Sequence, residues 1–416
     1  MFITENEVIN WIYSFGSRAS DNLDHLHEIL AKLNNPHKLF KTIHIAGTNG
    51  KGSTVSYIRE AFMNAGYKVA TFTSPYITCF GERMSINNQP MPEADLVKYA
   101  NILNNSNYLS TNQYAAFDII TLISFLYFAD ATVDIAIYET GIGGRLDSTN
   151  VITPLATAIT NVGHDHAEIL GNSQLKRAIE KLGIVKESIP LFTTEEDPDL
   201  LAEFVKTCRE RQANLHLALE DAQLISVNSK GVQFSCCGYS NLKISMYGEH
   251  QFKNASLAVC ILEYLRKKCD FSDINPQEIS NASWQGRFEH VQKSPPVILD
   301  GAHNLEGILA LIKTLKEVYP QKKKKFLFSA IGTKDALTMI KLLSEIAIKI
   351  AFTKGVNPKS IDPIDLIKFY DGTGVVYDDY EFAIDSELKW LKADEVLVVC
   401  GSLYFISDAR KYLLEK

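Results

Sequence analysis

Residues 44–54, HIAGTNGKGST, place three glycines and Lys51 between a predicted strand and a predicted helix. Glycines allow a tight backbone turn, a helix N-terminus presents free N–H groups, and a lysine supplies a cation, so the segment is suited to hold a phosphate group. It departs twice from the standard loop G-x-x-x-x-G-K-[ST], because Ile45 replaces the first glycine and Gly52 follows the lysine. The loop favours nucleotide binding over the alternative of a purely structural glycine-rich turn.

A second group of candidate residues follows other predicted strands. The apolar segment VDIAIYET places Glu139 at a strand end, directly before the glycine-rich run GIGGR. Ligands of open α/β sheets bind outside the carboxyl ends of the strands, which favours a functional Glu139 over a surface carboxylate. The segment GHDH, 163–166, has two histidines but no cysteine partners, so it is a weak zinc signal.

The elements that position these residues alternate between strand and helix. A helix is predicted at 53–66, and short runs rich in Ile and Val predict strands at 42–47, 68–73, 133–140, 156–163 and 189–194. Such alternation is typical of an α/β fold with a mostly parallel, doubly wound sheet. Residues 213–247 predict short antiparallel strands, which we interpret as a small β subdomain appended to this sheet.

The alternation of strand and helix restarts after QKSPPV, 292–297, whose two prolines interrupt regular structure. We therefore predict an N-terminal domain over 1–292 that carries the P-loop, a linker at 293–296, and a C-terminal α/β domain over 297–416. Both predicted domains are long enough to form their own hydrophobic core.

Composition excludes several classes of function. A net charge of −7 argues against a general nucleic-acid binder, because a polyanion would be repelled. No apolar run reaches the roughly 20 residues of a membrane span, and the N-terminus lacks the basic segment of a signal peptide. The seven cysteines form no CxxC pair, which fits a reducing, cytoplasmic location. We interpret the adjacent Cys236 and Cys237 as packing residues.

Nine motifs occur in chain order: GTNGKGS, TSPYITCFGERM, ETGIGGRLDSTN, NVGHDHAEILG, EKLGIVK, GEHQFKNA, WQGRFE, DGAHN and GSLYF. Together, from about residue 24 to 410, they resemble the folylpolyglutamate synthase and dihydrofolate synthase family, a branch of the Mur ligases. The resemblance implies an N-terminal P-loop domain, a C-terminal Rossmann-like domain and ATP-dependent amide ligation. L-glutamate would be added to reduced folates, to dihydropteroate, or to both, through an acyl phosphate.

The resemblance also implies which residues contact ATP. The matching positions are Asn49, Gly50, Lys51, Gly52, Ser53, Asn254, Arg287 and Asp300. Ser53 has helix capping as an equal alternative. In DGAHN, His303 is a candidate for the glutamate side of the reaction, and Asn304 is either a neighbouring ligand or a helix cap.

Two Mg²⁺ ions are implied in the same way, with ligands at Ser74, Glu139 and His166. Lys181 matches the lysine that the family carbamylates, and a carbamate would turn this cation into an anion able to bind the second ion. The alternatives are that Lys181 is an ordinary exposed helical lysine, or that Lys186 has this role.

The acceptor substrate is the least specified part of the resemblance. Segments lining the family's pteroate pocket match Tyr114, Phe117, Arg145 and Asp147, although Phe117 has a core position as its alternative. The chain departs from the family pattern at Tyr76, Gln285 and Asp118, where His, Pro and Glu are common. These departures leave the acceptor preference open.

Two other functions compete with this hypothesis. A Mur-type ligase for another pair of acid and amino acid would turn over with other amines. A P-loop ATPase without ligase activity would hydrolyse ATP independently of any amine. The family resemblance further implies a monomer that acts on small molecules.

Overall fold

A computed structural model of the chain describes residues 1–17, 21–163, 171 and 173–415. By packing, the chain divides into two units. The first comprises Met1–Ala222, Cys236–Tyr239 and Lys253–Ile279, and the second comprises Gln223–Ser235, Ser240–Phe252 and Ser280–Lys416. The domain boundary at 293–296 stays a prediction.

The first unit is built on an eight-stranded sheet in the order β4-β3-β2-β5-β1-β6-β7-β8. Its strands are β1 Lys41–Ala46, β2 Val69–Phe72, β3 Met84–Ile86, β4 Gln89–Pro90, β5 Ile135–Glu139, β6 Ala156–Ile159, β7 Leu191–Thr193 and β8 Leu215–Leu217. The pairs from β2 to β8 are parallel, whereas β3 and β4 add an antiparallel edge. The mostly parallel sheet predicted from the sequence is therefore confirmed.

One strand of the predicted β subdomain belongs to this sheet instead. Leu215–Leu217 runs parallel to β7, with Leu215 opposite Leu191. A helix at Pro198–Glu210 connects the two strands, as parallel neighbours require. The prediction of an antiparallel strand at this position is wrong.

Helices accompany the first sheet along the chain. They are α1 Glu5–Ser14, α2 Asp24–Lys32, α3 Lys51–Asn64, α4 Glu93–Asn105, α5 Ala116–Asp130, α6 Gln174–Leu182, α7 Pro198–Glu210 and α8 Glu249–Lys268. Helix α5 is apolar on most of its faces and lies in the core, where Ile119, Ile123 and Phe128 are fully buried. This confirms the prediction of a buried helix followed by a strand. Among the described residues, no helix has the length and apolar character needed to cross a membrane.

A separate three-stranded sheet, in the order β11-β10-β9, contains β9 Gln223–Asn228, β10 Gly231–Cys236 and β11 Tyr239–Ile244. Strands β9 and β10 are antiparallel, which confirms a small β structure in this part of the chain. Packing groups most of this sheet with the second unit.

The second unit has a six-stranded sheet in the order β12-β13-β17-β14-β15-β16. The strands are β12 Glu289–Lys293, β13 Pro296–Leu299, β14 Lys323–Phe328, β15 Ala347–Phe352, β16 Gly374–Val376 and β17 Glu395–Cys400. The helices are α9 Leu305–Val318, α10 Thr333–Ser344, α11 Pro363–Ile367, α12 Tyr380–Lys389 and α13 Leu403–Leu414. The predicted alternation is confirmed, and β12 adds an antiparallel edge whose turn to β13 includes the segment predicted as a linker.

Both faces of the second sheet are buried. Along β17, Val396 and Val398 pack in one core cluster, while Leu397 and Val399 pack in another. Successive side chains of a strand point to opposite faces, so this division means that apolar residues cover the sheet on both sides. A doubly covered parallel sheet is the Rossmann-like architecture expected for this part of the chain.

Candidate active site

The phosphate loop connects β1 to α3, and its glycines are required by close contacts. Gly50 is the N-cap of α3 with φ +86°, a left-handed conformation that disfavours other residues. A Cβ atom there would lie 2.2 Å from Asn254 Oδ1. At Gly47, a Cβ atom would lie 1.8 Å from Thr160 Oγ1. The loop therefore packs directly against α8 and against the end of β6.

Residues after β6 hold the loop in place. The Thr48 amide donates to Asn161 O at 3.1 Å, and the Asn49 amide donates to Asn161 Oδ1 at 3.0 Å. The Thr160 hydroxyl donates to Asn49 O at 2.6 Å. The sequence analysis did not single out Thr160 or Asn161. The available signal was their position directly after a predicted strand, where the NVG motif begins.

Lys51 and Glu139 meet at the carboxyl edge of the sheet. Lys51 Nζ donates to Gly47 O at 2.9 Å and to Thr48 O at 3.2 Å. It also lies 3.7 Å from Glu139 Oε1, and the Glu139 residue is only 5% exposed. The predicted cation and the predicted carboxylate are thus brought together in a site largely screened from water, where charges interact strongly.

The helix start clarifies the role of Ser53. Gly50 occupies the N-cap position, so Ser53 is the third residue of α3 and is not the capping residue. Its side chain is buried, with the residue 2% exposed. Helix capping is therefore wrong as the alternative for Ser53, and its phosphate contact stays a prediction.

Ser74 and Glu139 follow neighbouring strands. Phe72, the last residue of β2, is paired with Tyr138 of β5, so Ser74 lies beyond the same edge of the sheet as Glu139. A hydroxyl and a carboxylate are the hard oxygen donors that Mg²⁺ prefers, so these residues fit that ion. The third predicted ligand, His166, lies outside the described residues.

Lys181 is buried against the glycine-rich run that follows Glu139. The Lys181 residue is 3% exposed, so it is not an ordinary surface lysine. A Cβ atom at Gly144 would lie 2.9 Å from Lys181 O, which shows how closely the run packs on α6. Lys186, its alternative, donates to Asn150 O at 2.7 Å, and burial lowers the pKa of Lys186 to about 8.

Arg145 and Asp147 organise the same glycine-rich run. The Arg145 guanidinium donates to Glu180 Oε1 at 2.9 and 3.1 Å. The buried Asp147 carboxylate accepts from the amides of Gly141 and Ile142, at 2.8 and 3.1 Å, and from Thr149. Burial raises the pKa of Asp147 despite these bonds. Their predicted substrate contacts stay predictions beside these structural roles.

Aromatic and polar side chains gather at the start of α5. The Asp118 carboxylate accepts from Ser148 Oγ at 2.6 Å and lies 3.3 Å from His25 Nε2. The rings of Tyr114 and His25 are 5.3 Å apart, and burial raises the pKa of Tyr114 to about 12. Phe117 is half-buried and contacts Phe72, so it lies at the margin of the core.

The remaining predicted residues belong to the second unit. Asp300 accepts from the amides of Phe288 and Ala302, both at 2.9 Å. Burial raises the pKa of Asp300, and the nearby Arg287 charge opposes that rise. The His303 ring donates from Nδ1 to Gly301 O at 2.7 Å.

Asn304 follows His303 and begins α9. It is the N-cap of this helix, and its Oδ1 accepts from the Gly307 amide at 2.8 Å. The helix-cap alternative for Asn304 is confirmed.

A phosphate loop on a parallel sheet, followed in the chain by a second α/β unit, defines an ATP-dependent ligase of the Mur class. The Mur ligase middle domain matches residues 45–262, and the Mur ligase glutamate ligase domain matches residues 286–403. A dihydrofolate synthase/folylpolyglutamate synthase from Bacillus subtilis is 38% identical, over 99% of this chain and 100% of its own length. The chain belongs to the folylpolyglutamate synthase and dihydrofolate synthase family.

Solved structures agree with this assignment. A folylpolyglutamate synthase from Thermotoga maritima has a TM-score of 0.86 at 30% identity, covering 98% of this chain and 96% of its own. E. coli FolC, in complex with DHPP and ADP, has a TM-score of 0.88 at 25% identity, covering 99% of this chain and 98% of its own. The family resemblance and the fold class inferred from the sequence are confirmed.

Proposed function

We propose that this protein is an ATP-dependent amide ligase that adds L-glutamate to reduced folates and to dihydropteroate. The observation that carries the proposal is the meeting of Lys51 and Glu139 at a phosphate loop, 3.7 Å apart, in a chain that also matches a glutamate ligase domain. A nucleotide site alone is common to many enzymes. The matched ligase domain supplies the reason for the nucleotide.

The reaction requires activation of a carboxylate, because its oxygen is a poor leaving group towards an amine. Transfer of the ATP γ-phosphoryl group gives an acyl phosphate, and attack by the glutamate amine then releases phosphate and forms the amide. The loop amides and the α3 N-terminus hold the phosphates, while Lys51 balances the charge of the transferring group. Asn254, Arg287 and Asp300 remain the further ATP contacts that we propose.

Mg²⁺ fits this reaction, and when bound it neutralises phosphate charge and bridges phosphate oxygens. Ser74 and Glu139 would hold one ion, and His166 is proposed as a further ligand. For a second ion we propose a carbamate on Lys181. Its support is the burial of Lys181, 3% exposed, beside the glycine-rich run after Glu139, because an ordinary lysine is rarely buried so deeply.

Two relatives support the choice of acceptor. The Bacillus subtilis relative is named for both activities, and the E. coli relative was solved with DHPP and ADP. In this chain the pteroate side is proposed at Tyr114, Phe117, Arg145 and Asp147. His303 is proposed on the glutamate side.

A ligation assay tests the proposal. The full chain is incubated with ATP, Mg²⁺ and L-glutamate, and dihydropteroate and a reduced folate monoglutamate are offered in separate reactions. We expect a glutamate adduct with each acceptor, detected by mass spectrometry, and one ADP for each amide formed.

Other outcomes separate the competing functions. An adduct with only one acceptor would assign only that activity. ATP hydrolysis that is independent of both glutamate and acceptor would contradict ligation and support an ATPase. Turnover with another amine and none with glutamate would indicate a different Mur-type ligase.

We also propose a monomeric, cytoplasmic enzyme, as the sequence predicts. Light scattering of the purified chain measures its mass directly against the 46.5 kDa of one copy. A mass of twice this value would contradict the monomer.

A further inference from the structure

Three cysteine sulfurs converge in the first unit, away from the residues assigned to ligation. Cys236 ends β10, Cys237 begins the turn to β11, and Cys260 lies in α8. The sulfur of Cys236 lies 3.5 Å from that of Cys237 and 3.8 Å from that of Cys260, and the latter two sulfurs are 2.8 Å apart. All three atoms lie within 4.8 Å of one another, close enough to contact a single ion.

These spacings resemble those of a thiolate metal site. A Zn²⁺ ion bonds to sulfur at about 2.3 Å, so two of its tetrahedral ligands are about 3.8 Å apart. Both distances from Cys236 are close to this value. The distance between Cys237 and Cys260 must lengthen by about 1 Å, and both side chains are only half-buried, so they have room to turn.

The surroundings favour thiolates. Hydrogen bonds from Cys236 and from Cys260 lower the pKa of the Cys237 thiol, and the Lys267 cation lowers it further. The one carboxylate that acts on Cys237, Glu263, is held by Arg266 at 2.9 Å and by Lys267 at 2.7 Å. Thiolates are the form of cysteine that binds metal ions, and nearby cations stabilise that form.

Two backbone carbonyls face the same cluster. Ala218 O lies 3.7 Å from the Cys260 sulfur, and Ser256 O lies 3.8 Å from the Cys236 sulfur. They accept hydrogen bonds from the thiols in the metal-free protein. On metal binding the thiol protons leave, and the carbonyls supply polar surroundings for the ion.

We propose that Cys236, Cys237 and Cys260 bind one thiophilic metal ion, Zn²⁺ or Cu⁺, through three thiolates. Soft thiolate ligands select these ions over Mg²⁺, so the site is chemically distinct from the one at Ser74 and Glu139. The three residues come from a hairpin turn and from a helix. A bound ion would therefore cross-link the β10–β11 turn to α8 and stabilise this part of the first unit.

Cobalt is the probe, because Co²⁺ occupies zinc sites and absorbs light when bound to thiolates. The reduced full chain is titrated with Co²⁺ under anaerobic conditions. We expect thiolate-to-cobalt charge-transfer absorption that saturates at one equivalent, and we expect Zn²⁺ to displace the cobalt.

Matched cysteine variants locate the site. Cys260→Ser and Cys237→Ser should weaken Co²⁺ binding on the order of 100-fold or more, since even the outer partners of a metal ligand change affinity by 10–100-fold. Cys269→Ser changes another half-buried cysteine, directly after α8, and should leave binding unchanged. Circular dichroism checks that each variant is folded.

Three results would overturn the proposal. The first is a folded wild-type chain without charge-transfer absorption, and the second is absorption that survives Cys260→Ser. The third is a disulfide between Cys237 and Cys260 that forms under the anaerobic conditions and removes two titratable thiols. That result would show a redox pair instead of a metal site.

Discussion

Two glycines of the first unit share one backbone conformation and differ in their surroundings. Gly50 and Gly66 both have φ +86°, but a Cβ atom at Gly50 would meet Asn254 Oδ1 at 2.2 Å, whereas none lies within 4 Å at Gly66. An alanine at either position is strained by about 1–2 kcal/mol. Only Gly50→Ala adds a steric clash, worth about 1–3 kcal/mol more.

We therefore predict that Gly66→Ala lowers the free energy of unfolding modestly and leaves ligase activity intact. Gly50→Ala should lower the free energy of unfolding further and abolish nucleotide binding, because Asn254 and the loop must move apart. Urea unfolding and ADP titration measure both effects. Equal losses in the two variants would show that contact with Asn254 is unimportant.

Lys51 is the charge that the phosphate loop supplies. Removing a group that stabilises charge in the transition state reduces kcat roughly 100- to 1000-fold, so Lys51→Ala should nearly abolish amide formation. Its fold should persist, because Lys51 donates only to the loop carbonyls of Gly47 and Thr48. Lys206→Ala, on the exposed face of α7, is the control and should retain activity. Normal kcat in Lys51→Ala would remove the proposed role.

Lys181 is tested by chemical rescue. Lys181→Ala removes the proposed carbamate and should cripple ligation, while added short carboxylic acids should partly restore it by supplying an anion. Lys186→Ala is the matched control, since Lys186 follows the same helix and donates to Asn150 O at 2.7 Å. Rescue of kcat that appears only with Lys181→Ala is the expected result. A Lys181→Ala variant with wild-type kcat would contradict the carbamate.

At this scale, the sequence indicates residues with strong chemical character and misses those whose role is positional. Lys51 and Glu139 stand out because a cation follows glycines and a carboxylate ends an apolar strand. Thr160 and Asn161 act through an oxygen and a backbone group that any polar residue could supply. Cys260 is 23 residues beyond Cys237 in the chain, so only the fold brings their sulfurs to 2.8 Å.

Elements raise a different question, namely what starts and ends them. Helix α9 begins at Asn304, whose Oδ1 accepts from the Gly307 amide at 2.8 Å. Replacing such a cap by alanine costs about 0.5–2 kcal/mol, whereas serine keeps most of the bond. We expect Asn304→Ala to lower the free energy of unfolding of the second unit and Asn304→Ser to restore it. Urea unfolding compares the two variants.

The same comparison separates capping from a role in ligation. If capping is the whole role of Asn304, kcat and KM of Asn304→Ser should match the wild type. A serine variant that is stable but inactive would show that the amide also contacts substrate.

The elements found by sequence analysis are those with long apolar patterns. The central strands and α5 were predicted, because burial on both sides demands continuous apolar runs. The edge strands β3, β4 and β12 were not predicted, since an edge strand is short and partly exposed and has a weak pattern. Leu215–Leu217 was assigned to the wrong sheet, because three residues carry no information about their partner strand.

At the scale of the whole molecule, each unit has its own hydrophobic core and its own tryptophans. Trp11 lies in the first unit, whereas Trp284 and Trp390 lie in the second. Variants with phenylalanine at two or one of these positions therefore give fluorescence from a single unit. This separation allows the unfolding of each unit to be followed in the intact chain.

Nucleotide binding should stabilise the units that contact it. A ligand at 100 times its Kd adds about 2.7 kcal/mol to the free energy of unfolding, so ADP should raise the urea midpoint reported by Trp11. Because Arg287 and Asp300 are predicted nucleotide contacts, the midpoint reported by Trp284 and Trp390 should rise as well. Lys51→Ala should reduce both shifts. A shift confined to Trp11 would contradict the roles of Arg287 and Asp300 and would leave the phosphate loop as the nucleotide site.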